Sequence, residues 1–250
     1  MPLTGTYRVQ LHQDFGFRDA LAIVPYLARL GISHLYLSPI LTAVPGSGHG
    51  YDVLDHERIS ESLGGRAGFE ALAEAARAHE LGLIVDVVPN HMALVAPESS
   101  NAPLWQVLRD GRDAATAEWF DIDWKAGGGR LGLPVLGDPL DVVLAQGAIT
   151  LDEMADPLTG HDVPVLRYGD HVWPVALGTD GAAREGGSEA VRAVLDRQHY
   201  RLTFWRDKDT LNYRRFFEVD ELIAVRVELP EVFDATHRLL LELNHAGLID

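Results

Sequence analysis

Two short clusters carry the residue types that handle a sugar. Gly50-Tyr51-Asp52 sets an aromatic plate beside a carboxylate. A pyranose offers a CH face that stacks on a ring, while its hydroxyls donate to an acceptor. The same triplet also suits a hairpin turn with a core tyrosine. Asp86-Val87-Val88-Pro89-Asn90-His91 puts a carboxylate into an apolar run and ends on an imidazole. A carboxylate in that setting is costly unless hydrogen-bonded, so Asp86 requires a specific partner. His91 is a candidate donor to a sugar hydroxyl, and Asn90 and Asp86 serve as well as ties for the loop. The spacing of Asp86, Asn90 and His91 lacks the helical i, i+4 geometry of common zinc sites, so no metal is expected. Calcium through Asn90 and a carbonyl is the weaker alternative.

A third cluster, Asn212-Tyr213-Arg214-Arg215-Phe216-Phe217, places two guanidiniums between aromatic rings. Arg214 and Arg215 suit sugar hydroxyls or buried carboxylates, and a purely structural role fits as well. A nucleic-acid platform uses similar residues, but the net charge of −16 opposes a phosphate-binding surface. An acidic balance is compatible with a neutral ligand. With no cysteine in the chain, disulfides, thiolate metal sites and a cysteine nucleophile are excluded. The N-terminus has no basic segment followed by an apolar one, and no apolar run reaches the roughly 20 residues that span a bilayer. A cytoplasmic protein with neither a membrane nor a nucleic-acid partner is the expectation.

The elements that must position these clusters alternate. Residues 6–11 alternate polar and apolar as a strand does. Residues 18–30 then place Leu21, Val24 and Leu27 on one helical face; Pro25 kinks or divides that helix, and Gly31 caps it. A second strand is predicted at 34–37. A helix over 65–81 carries Phe69, Leu72, Ala73 and Ala76 at helical spacing, with Gly82 as its stop. Residues 83–88 are nearly all apolar, as in a parallel strand covered on both faces. From 92 to 200 the rhythm breaks into a Gly-, Pro- and Asp-rich stretch, too long for a plain loop and too rich in Trp and Leu for disorder. Helical character returns at 231–246. This order fits βαβ units, with the polar clusters just past strand ends, where a (β/α) barrel builds its active-site rim.

The motifs resemble the α-amylase superfamily, and within it the maltooligosyl trehalose synthase family. Asp86 to His91 is similar to the superfamily's first signature region, and Gly50-Tyr51-Asp52 to its companion sugar-contact motif. Tyr7-Arg8-Val9-Gln10-Leu11-His12, Phe120-Asp121-Ile122-Asp123-Trp124, Gln198-His199-Tyr200-Arg201-Leu202 and the Asn212–217 string resemble the narrower family.

The resemblance implies an α/β fold, the N-terminal part of a (β/α)8 TIM-type barrel. Residues 1–91 would form its first three units and 92–200 a subdomain inserted after the third strand. Residues 201–250 would return to the barrel through the helix before the fourth strand, leaving the barrel incomplete within this chain. It also implies a maltooligosaccharide or α-1,4-glucan substrate whose reducing-end bond is converted to an α,α-1,1 bond. Tyr51 would stack on the sugar, Asp52 and His91 would bind hydroxyls, and Asp86 and Asn90 would organise the rim. The retaining chemistry of such enzymes uses carboxylates that the family carries on the fourth, fifth and seventh strands. None is therefore expected up to Asp250, and the remainder of the same polypeptide becomes a required partner. No cofactor is implied. An α-glucan hydrolase and a non-catalytic glucan-binding segment are the alternatives.

Overall fold

Strands of four residues are too short to stand alone, and here three of them pair side by side. In the computed structural model, which describes residues 2–181 and 187–250, Thr6–Val9 (β1), His34–Leu37 (β2) and Gly82–Val85 (β5) form a parallel sheet in the order β1-β2-β5. The register runs Thr6–His34–Gly82 through Val9–Leu37–Val85. Residues 182–186, within the segment expected to be an insertion, lie outside the described part. The chain divides into two compact units, Met1–Ala93 with Val227–Asp250, and Leu94–Arg226.

In the first unit, helix α1 (Phe17–Leu30) joins β1 to β2, and α2 (Gly65–Ala78) precedes β5. Between β2 and α2 lies an antiparallel pair absent from the sequence expectation, Leu41–Ala43 (β3) and Val53–Ile59 (β4). A short strand, His91–Ala93 (β6), follows β5. Pro25 neither divides nor ends α1. Pro25 and Tyr26 face solvent, so the carbonyl that loses its partner meets water, while buried Val24 and Leu27 hold adjacent turns to the core. Gly31 caps the helix in the left-handed region at φ 84°, as its position suggested.

The end of α2 departs from expectation. The helix stops at Ala78, and Glu80 takes the left-handed turn at φ 57°. Gly82 is instead the first residue of β5, needed because a Cβ there would run into the His34 ring. The core joins Phe17, Val24 and Leu27 to Phe69, Leu72 and the strand residues Leu35, Leu37 and Leu83. The last helix, Pro230–His245, adds Leu239, Leu240 and Leu243 to the same cluster. Each such side chain contributes about 1.5–3 kcal/mol through burial, and Phe17 meets Phe69 edge-on at 5.6 Å.

The second unit is mostly β. It opens with helix α3 (Ala102–Asp110), capped by Asn101, whose Oδ1 accepts from the Leu104 N–H. Leu131–Leu136 (β7) pairs in parallel with a later strand, and a short helix α4 (Leu140–Ala145) follows β7. Thr150–Ala155 (β8), Asp162–Tyr168 (β9) and His171–Pro174 (β10) form an antiparallel sheet. Helix α5 (Ser188–Leu195) leads to Tyr200–Phe204 (β11), the partner of β7, and Arg215–Phe216 (β12) with Val219–Ala224 (β13) makes a hairpin. Trp105, Trp173, Tyr200 and Phe120 are fully buried inside it.

Residues 201–226 belong to this unit, where a return to barrel character was expected from 201. The β11–β7 pairing holds 200–204 there, and the 212–214 segment bonds to 121–123. No helix among the described residues is long and apolar enough to cross a membrane.

Candidate functional site

Side chains alternate along β1, β2 and β5, so the parallel register lines up Arg8, Tyr36 and Ile84 in one row. Leu35 and Leu37 point the other way, into the core. Arg8 lies over the Tyr36 ring, its guanidinium carbon 4.7 Å from the ring centroid. Two residues beyond Ile84, Asp86 follows the last residue of β5, its N–H bonded to the Leu37 carbonyl at 2.9 Å. It was expected within the strand and instead stands at the strand's C-terminal mouth.

Three side chains close a ring at that mouth. Arg8 Nη1 donates to Asp86 Oδ2 at 3.1 Å and Arg8 Nη2 to the Tyr51 hydroxyl at 2.9 Å. The Tyr51 hydroxyl in turn donates to Asp86 Oδ2 at 2.5 Å. The bond to Asp86, with burial, raises the Tyr51 phenol above its ordinary value, while Arg8 pulls the other way. The phenol therefore keeps its proton. Asp86 thus finds the partner its position demanded, and Arg8 is the residue that motif reasoning missed. A charged residue in the middle of a short strand, between Tyr7 and Val9, was the available signal.

Tyr51 and Asp52 sit in the loop between β3 and β4. Asp52 Oδ1 accepts from Ser47 Oγ at 2.5 Å, and His49 Nδ1 stands 3.7 Å from it. Ser47 Oγ also accepts the Gly50 N–H at 3.0 Å, and Gly50 takes φ 76°, so the loop is fixed at both ends of the triplet. Among the described residues, Asp86 Oδ1 and Asp52 Oδ2 accept no hydrogen bond, leaving two carboxylate oxygens, one on the residue that bonds the Tyr51 hydroxyl and one on Tyr51's chain neighbour.

His91 is brought to Tyr51, but by a different route from the one expected. It is 3% exposed, its Nε2 lies 2.9 Å from the Tyr51 carbonyl and its Nδ1 2.8 Å from Asn90 Oδ1. A carbonyl only accepts, so Nε2 carries the hydrogen, and Nδ1 of the neutral ring accepts from the Asn90 side-chain amide turned to present its nitrogen. The imidazole holds the tyrosine's backbone instead of projecting a donor to a ligand hydroxyl, because burial leaves it no open face. Asn90 is exposed beside it. His56 repeats the device from β4, with Nε2 at 3.0 Å from the Val88 carbonyl.

Burial, first among the causes, lowers the pKa of both His91 and His56 below the ordinary value of 6.5. Folded imidazoles thus resist protons that unfolded ones accept. Their contribution is complete above the unfolded value and is lost as pH falls through the lowered folded values. Urea unfolding of the chain is expected to show stability falling progressively as pH drops below about 6.5, the ordinary imidazole value. A flat profile across that window, or a weaker loss in the wild type than in His56→Gln, contradicts it.

Arg214 and Arg215 belong to the second unit and find carboxylates there. Arg214 Nε pairs with Asp121 at 2.7 Å, its side chain 75% exposed. Arg215 pairs with Asp220 and donates to the Glu218 carbonyl at 3.1 Å, closing the β12–β13 turn. Nearby Asn212 is a buried clasp: its Oδ1 accepts from Gly132, and its Nδ2 donates to the Asp123 and Arg130 carbonyls. Both arginines pair with carboxylates, but these are not buried as the string suggested: Asp121 is 42% and Asp220 29% exposed.

The comparisons agree with one another. Residues 21–127 match the family model of the alpha-amylase catalytic domain. A putative maltooligosyl trehalose synthase of Mycobacterium tuberculosis is 45% identical over 254 residues, covering 100% of this chain and 30% of its own length. The structure of maltooligosyltrehalose synthase from Arthrobacter ramosus superposes with a TM-score of 0.86 at 46% identity, over 98% of this chain and 30% of that one. A hypothetical maltooligosyl trehalose synthase of Sulfolobus tokodaii gives a TM-score of 0.81 at 35% identity, over 96% of this chain and 30% of that one. The fold is of the α-amylase type, and the chain spans about 30% of the length of these relatives.

Proposed function

We propose that this chain, similar along its whole length to part of the maltooligosyl trehalose synthases, supplies the sugar-holding rim of such an enzyme. In this reading β1, β2 and β5 are the first three strands of a (β/α)8 barrel. The second unit is an insertion after the third strand, and helix Pro230–His245 leads toward the fourth.

Within the rim, the Tyr51 ring stacks on the CH face of the glucose at the reacting bond. Asp52 Oδ2 and Asp86 Oδ1 accept from its hydroxyls, and Arg8 fixes the hydroxyl end of Tyr51. His91 holds the tyrosine's backbone and Asn90 holds the His91 ring, so their part in sugar binding is indirect. Arg214 and Arg215, already paired with carboxylates, take no direct part.

The whole enzyme's reaction is an isomerisation of a maltooligosaccharide. The reducing-end C1–O4 bond breaks, the freed glucose is retained, and its anomeric oxygen attacks the same C1. Water is the competing nucleophile, so the pocket must hold the glucose tightly. The carboxylates for this retaining chemistry are those the resemblance assigns to later strands. The chain by itself is expected to bind and not to turn over.

The observation that carries this proposal is the closed Arg8–Tyr51–Asp86 ring at the strand mouth, with two carboxylate oxygens left for hydroxyls. Titration of the 250-residue chain with maltopentaose, followed by NMR shifts of the Tyr51 ring, tests it. Saturable shifts at millimolar sugar, absent with the β-linked cellopentaose, are expected. No response to maltopentaose, or an equal one to both sugars, sinks it.

A further inference from the structure

Several arginines of the second unit meet a carboxylate, and among the described residues two around one cavity do not. Arg109, Arg167, Arg192, Arg214, Arg215 and Arg226 each meet a carboxylate. A cavity of about 280 Å³ lies between the start of α4, the end of α5 and β11, and its wall includes Arg130, Arg201, Asp196 and Asp207. None of these four forms an ion pair or a side-chain bond with another of them among the described residues. Arg201 Nε is buried with no hydrogen-bond partner, and its Nη2 reaches the Thr210 carbonyl only at 3.4 Å. Leu140 and Phe204 supply apolar wall between the charged groups.

We infer that this cavity is a second binding site, for one pyranosyl unit of a neutral glycan. Two guanidiniums offer only donors and two carboxylates only acceptors, held apart instead of satisfying each other. An anion would meet Asp196 and Asp207, and a cation would meet Arg130 and Arg201. A ring bearing several hydroxyls, each both donor and acceptor, answers all four while its CH surface meets Phe204 and Leu140. The volume sits at the lower edge of the roughly 300–1,000 Å³ of ligand pockets, room for one sugar ring and not for a folded oligomer. The site lies wholly in the second unit and owes nothing to Tyr51.

The test uses the 250-residue chain with Leu and Val methyls labelled, titrated with maltotriose and, separately, with inorganic phosphate. Maltotriose is expected to shift the methyls of Leu140, Leu195 and Leu202, in the wild type and equally in Tyr51→Ala. The double variant Arg130→Ala/Asp207→Ala removes side chains that bond to nothing else among the described residues, so the fold is expected to survive, as the unaffected methyls of Val165 and Val172 in the core of the same unit report. It should bind at this cavity about tenfold more weakly or worse, by loss of charge-assisted bonds. Absence of shifts at the three leucines, shifts that persist unchanged in the double variant, or a response to phosphate in place of the sugar each overturns the inference. Failure at the Tyr51 site is read independently, from the Val88 methyls and the Tyr51 ring.

Discussion

Replacing Asp86 by alanine is expected to weaken maltopentaose binding by about a hundredfold while leaving the first unit folded. Two donors converge on Asp86 Oδ2, one from Arg8 and one from the Tyr51 hydroxyl. Hydrogen bonds to a charged group contribute about 1.5–3 kcal/mol each. Partial exposure reduces that, since the side chains are 36% and 20% exposed for Arg8 and Asp86. About 2.7 kcal/mol in total remains a fair sum, and that corresponds to a hundredfold. The loss falls on binding because the bonds do not hold the core together; they fix the angle of a ring. With Asp86 gone the phenol has only Arg8, whose second nitrogen has lost its acceptor, and the tyrosine becomes free to rotate. Asp86→Asn keeps an acceptor for one donor and is expected to lose about tenfold. Tyr51→Phe keeps the ring but drops the hydroxyl, and should lie between Asp86→Asn and Asp86→Ala. NMR titration with maltopentaose gives the ranking, and urea unfolding checks the fold. If Asp86→Ala binds as the wild type does, the three-residue ring has no part in holding a ligand.

Much of this site was legible because its residues sit where periodicity changes. Asp86 interrupts an apolar run, and a buried-strand pattern broken by a carboxylate asks for a partner. The identity of that partner was not legible. Arg8 is 43 positions from Tyr51 and 78 from Asp86; the parallel register of β1, β2 and β5 brings Arg8 to Asp86, and the β3–β4 loop brings Tyr51. Register is a tertiary fact, set by side-chain packing on the far face. The β3–β4 pair was missed for a related reason. Residues 41–43 are too few to show alternation, and the pair slips register at both steps. Gly82 shows the same limit from the other side. A glycine after a helical stretch reads as a cap, but here Glu80 makes the left-handed turn and the glycine makes room for His34. For His91 the motif suggested a sugar hydroxyl as partner, while the structure gives the Tyr51 carbonyl, because burial is not written in a motif.

In the second unit, Asp156→Ala is expected to cost about 3–5 kcal/mol, the penalty for leaving buried partners of a charge without it. Asp156 is 1% exposed in its side chain and sits at the turn between β8 and β9. Its Oδ1 accepts from the Trp105 indole N–H at 2.9 Å and from the Leu158 N–H at 3.1 Å. Its Oδ2 accepts from Arg109 Nη1 at 2.9 Å and from Thr159 Oγ1 at 3.1 Å. One carboxylate therefore ends a hairpin and ties it to helix α3. Alanine leaves the fully buried Trp105 with an unsatisfied N–H, and no water-filled side of the helix is available to it. Arg109 suffers less, since Asp110 already holds its Nε and Nη2 at 2.9 and 2.8 Å. That asymmetry supplies the control. Asp110→Ala removes the other carboxylate of the same arginine, at a more exposed position, and is expected to cost under about 1 kcal/mol. Asp156→Asn retains an acceptor for the indole and should fall between the two. Urea unfolding followed by tryptophan fluorescence separates the three. Equal losses for Asp156→Ala and Asp110→Ala would mean that the arginine, and not the buried indole, is what Asp156 stabilises.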